Sequence, residues 1–531
     1  MSVYDTYFDE YIKLYPTVND IYRINKYKHL QKHYENNLSI TNLSIIKDLN
    51  IKYLSIIDKR KKLNIYDKCL KYNLKLYLDG IKYNLHLMPI NQLDNQISNY
   101  IQILNGTGYF IFETIDDYKD FMLKNKEFSI WCDQLIINLN LGIDNRLVIP
   151  KILCEKLIAE LEDSITNQSY YNRNVPINLR TEWDKNVNDY VIGPIVKVLD
   201  FLKKTYLTNC RNTLGYSSLP NGKQIYKYLV KLNITKNMSV KKIHLMGVKE
   251  INKIAKQMNK IVRRLNYKDG VKNFMNHLQT VESNRYKSIK EVLTHYETTR
   301  EYLSNDLLPK YFDERITKTY KIIPVPKDLE NNSPAAYYLN GDLSGQRDGV
   351  FYLNMRNYKH MVRSECLSLS KHEGIPGHHF HITFMNENNK IPLFIKTSNY
   401  NAFIEGYALY VENLGEYDDI SYFGKLNNEM LRAIRLVVDT GIHYYNWDYN
   451  KCFDLFNKYT MFTKTDIDAE IYRYVAIPGQ ALSYKIGELT IKKLQKRFMK
   501  KHNDIKKFHK LLLENGQLPL EILIDKINEF I

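Results

Sequence analysis

Turn-forming residues are scarce in this chain of 531 residues: it has 14 prolines and 21 glycines, and no stretch rich in proline, glycine and serine interrupts it. The shortage of helix breakers argues for helices throughout, and the absence of a linker or an internal repeat argues against a string of independent domains. Cysteine is equally thin. The six present, Cys69, Cys132, Cys154, Cys210, Cys366 and Cys452, show no paired short spacing, which excludes a disulfide framework and implies reduced thiols, mostly small buried apolar residues, in an intracellular protein. No apolar run reaches the ~20 residues that a membrane-spanning helix needs. The opening Met1-Ser2-Val3-Tyr4-Asp5-Thr6 lacks the basic region and apolar core of a secretory signal. Together these absences predict a soluble, cytoplasmic protein with no membrane partner.

Positive charge, by contrast, is in excess: 76 Lys and Arg face 59 Asp and Glu, for a formal net charge of +17. The most basic stretch, Lys492 to Lys510, is interleaved with Leu, Phe and Ile at helical spacing, the pattern of an amphipathic C-terminal helix with a solvated lysine face. The 44 tyrosines, with abundant Lys, Ile and Asn, fit a drift towards A/T-rich codons. No nucleic-acid-binding motif accompanies the charge, so nucleic acid is not an expected partner. A basic cleft would instead attract acidic peptides.

Apolar residues recur at three- and four-residue intervals in segments such as Val248 to Leu265, which predicts a mainly α fold. The simplest organisation is two helical lobes sharing one cleft, an N-terminal lobe over 1–200 and a second over 201–531, together forming one structural unit. A few short strands are expected near Asp342 to Asn354, where Val350 and Tyr352 sit in a β-prone, turn-bounded stretch. Such a strand could bind an extended peptide backbone by edge pairing.

Four of the fourteen histidines fall within ten residues, in His372-Glu373-Gly374-Ile375-Pro376-Gly377-His378-His379-Phe380-His381. A His-Glu pair followed by further histidines supplies what a catalytic zinc needs: neutral imidazoles as ligands and an adjacent carboxylate to take a proton from water. The spacing is irregular. In H-E-x-x-H both histidines share a helical face because four residues advance a helix by about 400°; here Pro376 stands where the second histidine should be. His378 would point about 120° away from His372 on a regular helix, and His379 would share its face but lie about 10 Å along the axis. Proline removes a donor and clashes with the preceding turn while glycine tolerates unusual dihedrals, so the helix should bulge or break at Pro376-Gly377. With two residues looped out, His378 becomes the second ligand and His379 packs or bonds behind it; His379 is the alternative ligand. A plain Pro-Gly turn between two helices carrying solvent-facing histidines is the competing reading.

A third ligand is offered by Phe403-Ile404-Glu405-Gly406-Tyr407-Ala408-Leu409-Tyr410-Val411-Glu412, where two acids seven apart share a face of an apolar helix. An inward acid is expensive to bury unless it is paired or binds a metal. Glu405 is the natural third ligand, and Glu412 is expected to be exposed or to support a ligand from behind.

With these residues the chain resembles the domain-of-unknown-function family 885. The resemblance rests on His372-Glu373-x-x-Pro376-Gly377-His378-His379 and on Glu405-Gly406-Tyr407-Ala408-Leu409-Tyr410-x-Glu412. It extends to Arg435-Leu436-Val437-Val438-Asp439-Thr440-Gly441-Ile442-His443, to Arg473-Tyr474 with Gly479-Gln480-Ala481 and Tyr484-Lys485-Ile486-Gly487, and upstream to Leu219-Pro220-Asn221-Gly222 with Tyr226 and Asp348-Gly349-Val350-Phe351-Tyr352-Leu353-Asn354. It covers most of the chain and is weakest before residue 150. It implies a largely helical protein similar in architecture to zinc peptidases with a glutamate third ligand, such as the thimet-oligopeptidase and carboxypeptidase Taq groups. This chain departs from the family pattern in having Gly374 for a common Ala, Tyr407 for a common Trp and His381 for a common Gln. Gly374 should loosen the helix, and His381 is expected to add surface polarity.

The expected cofactor is therefore Zn2+ and the expected substrate a peptide, with Glu373 as general base and then acid. His443, Arg473, Tyr474 and Tyr484 are candidates to donate to the developing oxyanion, Tyr484 first because its hydroxyl donates without competing for the metal. Asp439, four residues before His443, could orient that imidazole or form an ordinary helix-stabilising pair. A different metal-dependent amidase or esterase, and a noncatalytic helical binding protein, are the other two functions this pattern allows.

Overall fold

The computed structural model of the chain describes residues 2–91, 93, 96–104, 109–166, 175–327, 330 and 334–531. Helices make up 71% of it beside one small three-stranded sheet, a mainly α fold. The chain divides into two compact units, Met1–Tyr228 with Val475–Ile477, and Leu229–Tyr474 with Pro478–Ile531; the sequence reading set this boundary at residue 200. Among the described residues no helix is long and apolar enough to cross a membrane.

The first unit is built around α1 (Ile115–Asp144), which opens on a capping box. The Thr114 side chain accepts from the Asp117 N–H, and Asp117 accepts in return from the Thr114 N–H, an arrangement worth ~1 kcal/mol. Phe121, Phe128, Trp131 and Leu135, at seven-, three- and four-residue steps, form its buried stripe. The next helix, α2 (Lys151–Thr166), starts where Pro150 bridges to Arg211.

In the second unit, α3 (Val240–Arg264) realises the predicted amphipathic segment, with Ile243, Ile251, Ile254, Met258 and Ile261 buried. Three strands follow: β1 (Tyr320–Pro324), β2 (Ala336–Leu339) and β3 (Gly349–Leu353). Their order is β1-β3-β2, with β1 parallel and β2 antiparallel to β3. The strand expected between Asp342 and Asn354 is thus the central one, with Phe351 and Leu353 fully buried. Both its edges are taken, so the edge pairing imagined for it is corrected: among the described residues the outer strands are β1 and β2.

The histidine run lies between α4 (Arg363–Glu373) and α5 (His378–Glu387), and α6 (Asn401–Val411), α7 (Asp419–Tyr445), α8 (Lys464–Ala476) and α9 (Leu482–His502) complete the frame. α3 and α4 pack along α7, and α6 packs along α9. Two glycines set the α6–α9 crossing. A Cβ on Gly406 would lie 2.4 Å from the Gly487 Cα, and a Cβ on Gly487 would lie 1.9 Å from the Ala402 carbonyl oxygen. Behind the crossing Lys485, fully buried, pairs with Glu429 and, at 2.7 Å, with Glu488. Gly487→Ala should therefore force the helices apart and destabilise the chain by about 3 kcal/mol, the upper end of ordinary overpacking, read as a lowered denaturant midpoint; an unchanged midpoint would mean the crossing has slack.

The basic stretch forms two helices, where one was expected. α9 ends at His502 because Asn503 adopts a left-handed conformation, φ 49°, as Asn readily does past a helix end, and α10 (Ile505–Leu513) begins after it. Lys493, Lys496, Arg497 and Lys500 are exposed while Leu494 and Phe498 are buried, the solvated lysine face that the pattern predicted.

Candidate metal centre

The ten-residue run does not continue as one helix. α4 ends at Glu373 and α5 starts at His378, so of the two expectations, bulge or break, the chain takes the break. A Pro-Gly turn between two helices is present, yet the histidines are not solvent-facing: relative exposure is 4% for His372, 8% for His378, and 1% for both His379 and His381. Gly377 makes the junction tight. A Cβ there would sit 2.0 Å from the His372 carbonyl oxygen and 2.2 Å from that of Lys371, so α5 begins pressed against the last turn of α4. The result is that His378 stands beside His372, ring centroids 4.8 Å apart and planes nearly perpendicular. Gly374 does not loosen a continuing helix, as its replacement of Ala suggested. It leaves the helix, and the Tyr320 hydroxyl fills the space, 2.2 Å from where a Cβ would be.

Glu405 comes to the same point from α6. Its Oε2 lies 3.6 Å from the His372 Nε2 and 3.6 Å from the His378 Nε2, and the three ligand atoms all lie within 4.8 Å of one another. Such separations are too long for direct hydrogen bonds. Two ligand atoms each about 2.1 Å from one zinc ion at a tetrahedral angle lie about 3.4 Å apart, so the donor set fits a small divalent cation in both spacing and chemistry. The Glu405 side chain is the most open of the three, 18% exposed against 5% and 11%.

The surroundings orient these groups. Glu412, buried at 3%, is not an exposed acid. Its Oε1 accepts from His372 Nδ1 at 2.8 Å, which leaves Nε2 to face Glu405. Burial alone would depress His372, but the carboxylates of Glu405 and Glu412 outweigh it and raise the imidazole to about 10. Glu405 responds in the opposite sense: burial pushes it up, and the two imidazoles pull it well below the usual carboxylate range. Glu373, next in sequence to His372, has its carboxyl raised, chiefly by burial and further by Glu405, against the opposing pull of both imidazoles. The backbone N–H of Tyr338, in β2, faces the Glu373 carboxyl. Next to His372 on α4, Lys371 donates to the Leu414 carbonyl at 2.6 Å and lies 3.8 Å over the Tyr417 ring; burial lowers it to about 7.

His379 and His381 are occupied differently. His379 Nε2 donates to the Lys318 carbonyl at 3.2 Å, and its Nδ1 accepts from the Tyr338 hydroxyl at 2.9 Å; burial lowers it to about 4. Both nitrogens are therefore taken, one by Lys318 just before β1 and one by Tyr338 of β2. His381, expected at the surface, packs between the rings of Phe403 and Tyr407 at 5.2 and 5.3 Å, and burial lowers it to about 3.

The downstream candidates form a cluster of their own. Arg473 Nη2 donates to the Tyr484 hydroxyl at 3.1 Å and to Gln480 Oε1 at 3.0 Å, while the Arg435 guanidinium lies 4.6 Å over the Tyr484 ring. Tyr484 stands one helical turn before Gly487, and so one turn from the crossing where α6 carries Glu405. Tyr474 donates its hydroxyl to Glu470. His443 does not present a free donor: fully buried, its Nε2 donates to the Tyr474 carbonyl at 2.9 Å. Asp439 accepts from the Gly479 N–H at 3.0 Å. Asp439 and His443 thus brace the connection between α8, which carries Arg473, and α9, which carries Tyr484. Sequence reasoning missed Tyr338, Tyr320 and Arg435. The strand pattern around Tyr337-Tyr338 was readable, but its contact with Glu373 and His379 spans 35 residues or more and leaves no periodic trace.

Comparison with known proteins agrees with this architecture. The chain superposes on a protein described as a candidate lipoprotein from Colwellia psychrerythraea with a TM-score of 0.90 at 22% identity, over 99% of this chain and 97% of that one. It superposes on a candidate lipoprotein of unknown function from Shewanella oneidensis with a TM-score of 0.73 at 15% identity, over 98% of each. Both show a shared fold. No curated protein matches the sequence. The family model for bacterial proteins of unknown function DUF885 matches residues 38–527, and the chain belongs to that family.

Proposed function

We propose that this protein is a zinc-dependent hydrolase, most specifically a peptidase acting on small or unstructured peptides. The observation that carries the proposal is the convergence of His372, His378 and Glu405 on one point, with the Glu373 carboxyl beside them. The likeness in architecture to zinc peptidases with a glutamate third ligand, which the resemblance to family 885 implies, supports it. Zinc in such a site lowers the pKa of a bound water to about 7 and polarises a carbonyl group.

The residues around the point have complementary tasks. Glu373 takes the proton of the attacking water and returns it to the leaving amine, and its raised pKa brings it nearer the working pH, where a proton carrier is most efficient. Glu412 keeps one proton of His372 on Nδ1, which fixes the tautomer and leaves Nε2 as a donor lone pair. Outside this group, near the α6–α9 crossing, the Tyr484 hydroxyl accepts from Arg473 and keeps its own proton to donate; we assign it the oxyanion, a role worth about 3 to 4 kcal/mol for a positioned donor. β2, whose Tyr338 N–H faces Glu373, offers an outer strand along which an extended peptide can pair.

The purified chain should carry stoichiometric zinc and cleave members of a quenched fluorescent peptide library. Zinc neither present nor regained on incubation would overturn the proposal, and zinc with ester or non-peptide amide hydrolysis only would remove the peptidase reading.

A further inference from the structure

The six cysteines are not all isolated. Cys154, in the first turn of α2, is fully buried, and its thiol lies against that of Cys210, which is half-buried. The backbone holds the two segments together independently of the thiols. Pro150 and Arg211 form a parallel bridge, made by Arg211 N–H to Ile149 O at 3.3 Å and Lys151 N–H to Arg211 O at 2.8 Å. The Tyr206 hydroxyl accepts from the Ile149 N–H at 3.2 Å, and Arg211 Nε donates to the Val148 carbonyl at 3.0 Å. Cys154 N–H donates to the Pro150 carbonyl at 3.2 Å, so Cys154 lies one turn above the bridge, and Cys210 lies one residue before its other side. A cross-link here joins segments that are already in place, the condition under which a disulfide adds stability without distorting the fold.

We infer that Cys154 and Cys210 are a cross-linking pair, closing to a disulfide that staples the start of α2 to the segment at Arg211 when the chain meets a small-molecule disulfide such as oxidised glutathione. The chemistry is thiol–disulfide exchange. Cys210, the more accessible, loses its proton and attacks the oxidant, forming a mixed disulfide and releasing one thiolate. Cys154 loses its proton and attacks the Cys210 sulfur, forming the internal bond and releasing the second thiolate. The two protons end on the two released thiols, and two electrons pass from the protein to the oxidant. In a reducing cytoplasm the pair stays open, as the spacing of the cysteines led us to expect; in an oxidising compartment it closes.

The full-length chain, reduced and then incubated with oxidised glutathione, should give on alkylation, digestion and mass spectrometry a peptide pair joined through Cys154 and Cys210, lighter by two hydrogens. Closure should raise the melting temperature by about 5 to 10 °C. Cys154→Ser should leave Cys210 as a glutathione mixed disulfide with no melting gain, because the resolving thiol is gone. In the wild-type chain, both thiols still alkylated, a persistent mixed disulfide at Cys210, a bond to another cysteine, or a disulfide that lowers the melting temperature would each overturn the inference.

Discussion

Glu373→Gln should lower peptide turnover by about 10²- to 10⁴-fold, the range spanned by a positioned general base, while leaving zinc content unchanged. The substitution keeps the shape of the side chain and its acceptor towards the Tyr338 N–H, and takes away only the ability to hold a proton. Because His372, His378 and Glu405 supply the metal donors, zinc should stay. The pH profile sharpens the test. The base works only when deprotonated, so wild-type kcat/KM should fall on the acid side as Glu373 takes up its proton. In the variant this acid limb should vanish. Zinc analysis beside kcat/KM across pH reads both halves, and unchanged turnover with zinc bound would remove Glu373 as the base.

Much of this architecture is legible in the sequence. The spacing of Ile243, Ile251, Ile254, Met258 and Ile261 in α3 is periodic, and periodicity is a local signal. Pro376-Gly377 announced an interruption for equally local reasons, although whether the helix would bulge or break depended on the carbonyls of Lys371 and His372 pressing on Gly377. Glu405 stood out because an acid on an apolar helix needs a reason to be buried. What remained hidden depends on contacts distant in sequence. His381 looked like surface polarity until Phe403 and Tyr407 closed over it. His443 looked available until the Tyr474 carbonyl took its Nε2. β3 read correctly as a strand, but its central place depends on the order β1-β3-β2, which no local pattern encodes. Cys154 and Cys210 appeared unpaired because their spacing is long, and only the bridge between Pro150 and Arg211 brings them together.

The two histidines left open by the sequence make opposite predictions. His378→Ala should reduce zinc affinity far beyond the about 10- to 100-fold that loss of an outer partner costs, since it removes one of three donors facing a common point. His379→Ala should keep zinc and lose stability instead: it leaves the Tyr338 hydroxyl without its acceptor and the Lys318 carbonyl without its donor, at about 1 to 3 kcal/mol for each buried group left unsatisfied. Metal titration and thermal melting of the two variants separate these outcomes, and zinc loss confined to His379→Ala would make His379 the ligand. Proton release gives a second, independent reading. The carboxylates of Glu405 and Glu412 hold His372 protonated up to about pH 10, and a metal ion must displace that proton from Nε2. Zinc binding at pH 7 should therefore release a proton, and apparent affinity should fall about tenfold for each unit that pH drops below 10. Calorimetry in buffers of different ionisation enthalpy measures the release directly. His379→Ala should retain it, because His372, Glu405 and Glu412 are untouched; binding heats independent of buffer would mean that zinc does not enter between His372 and Glu405.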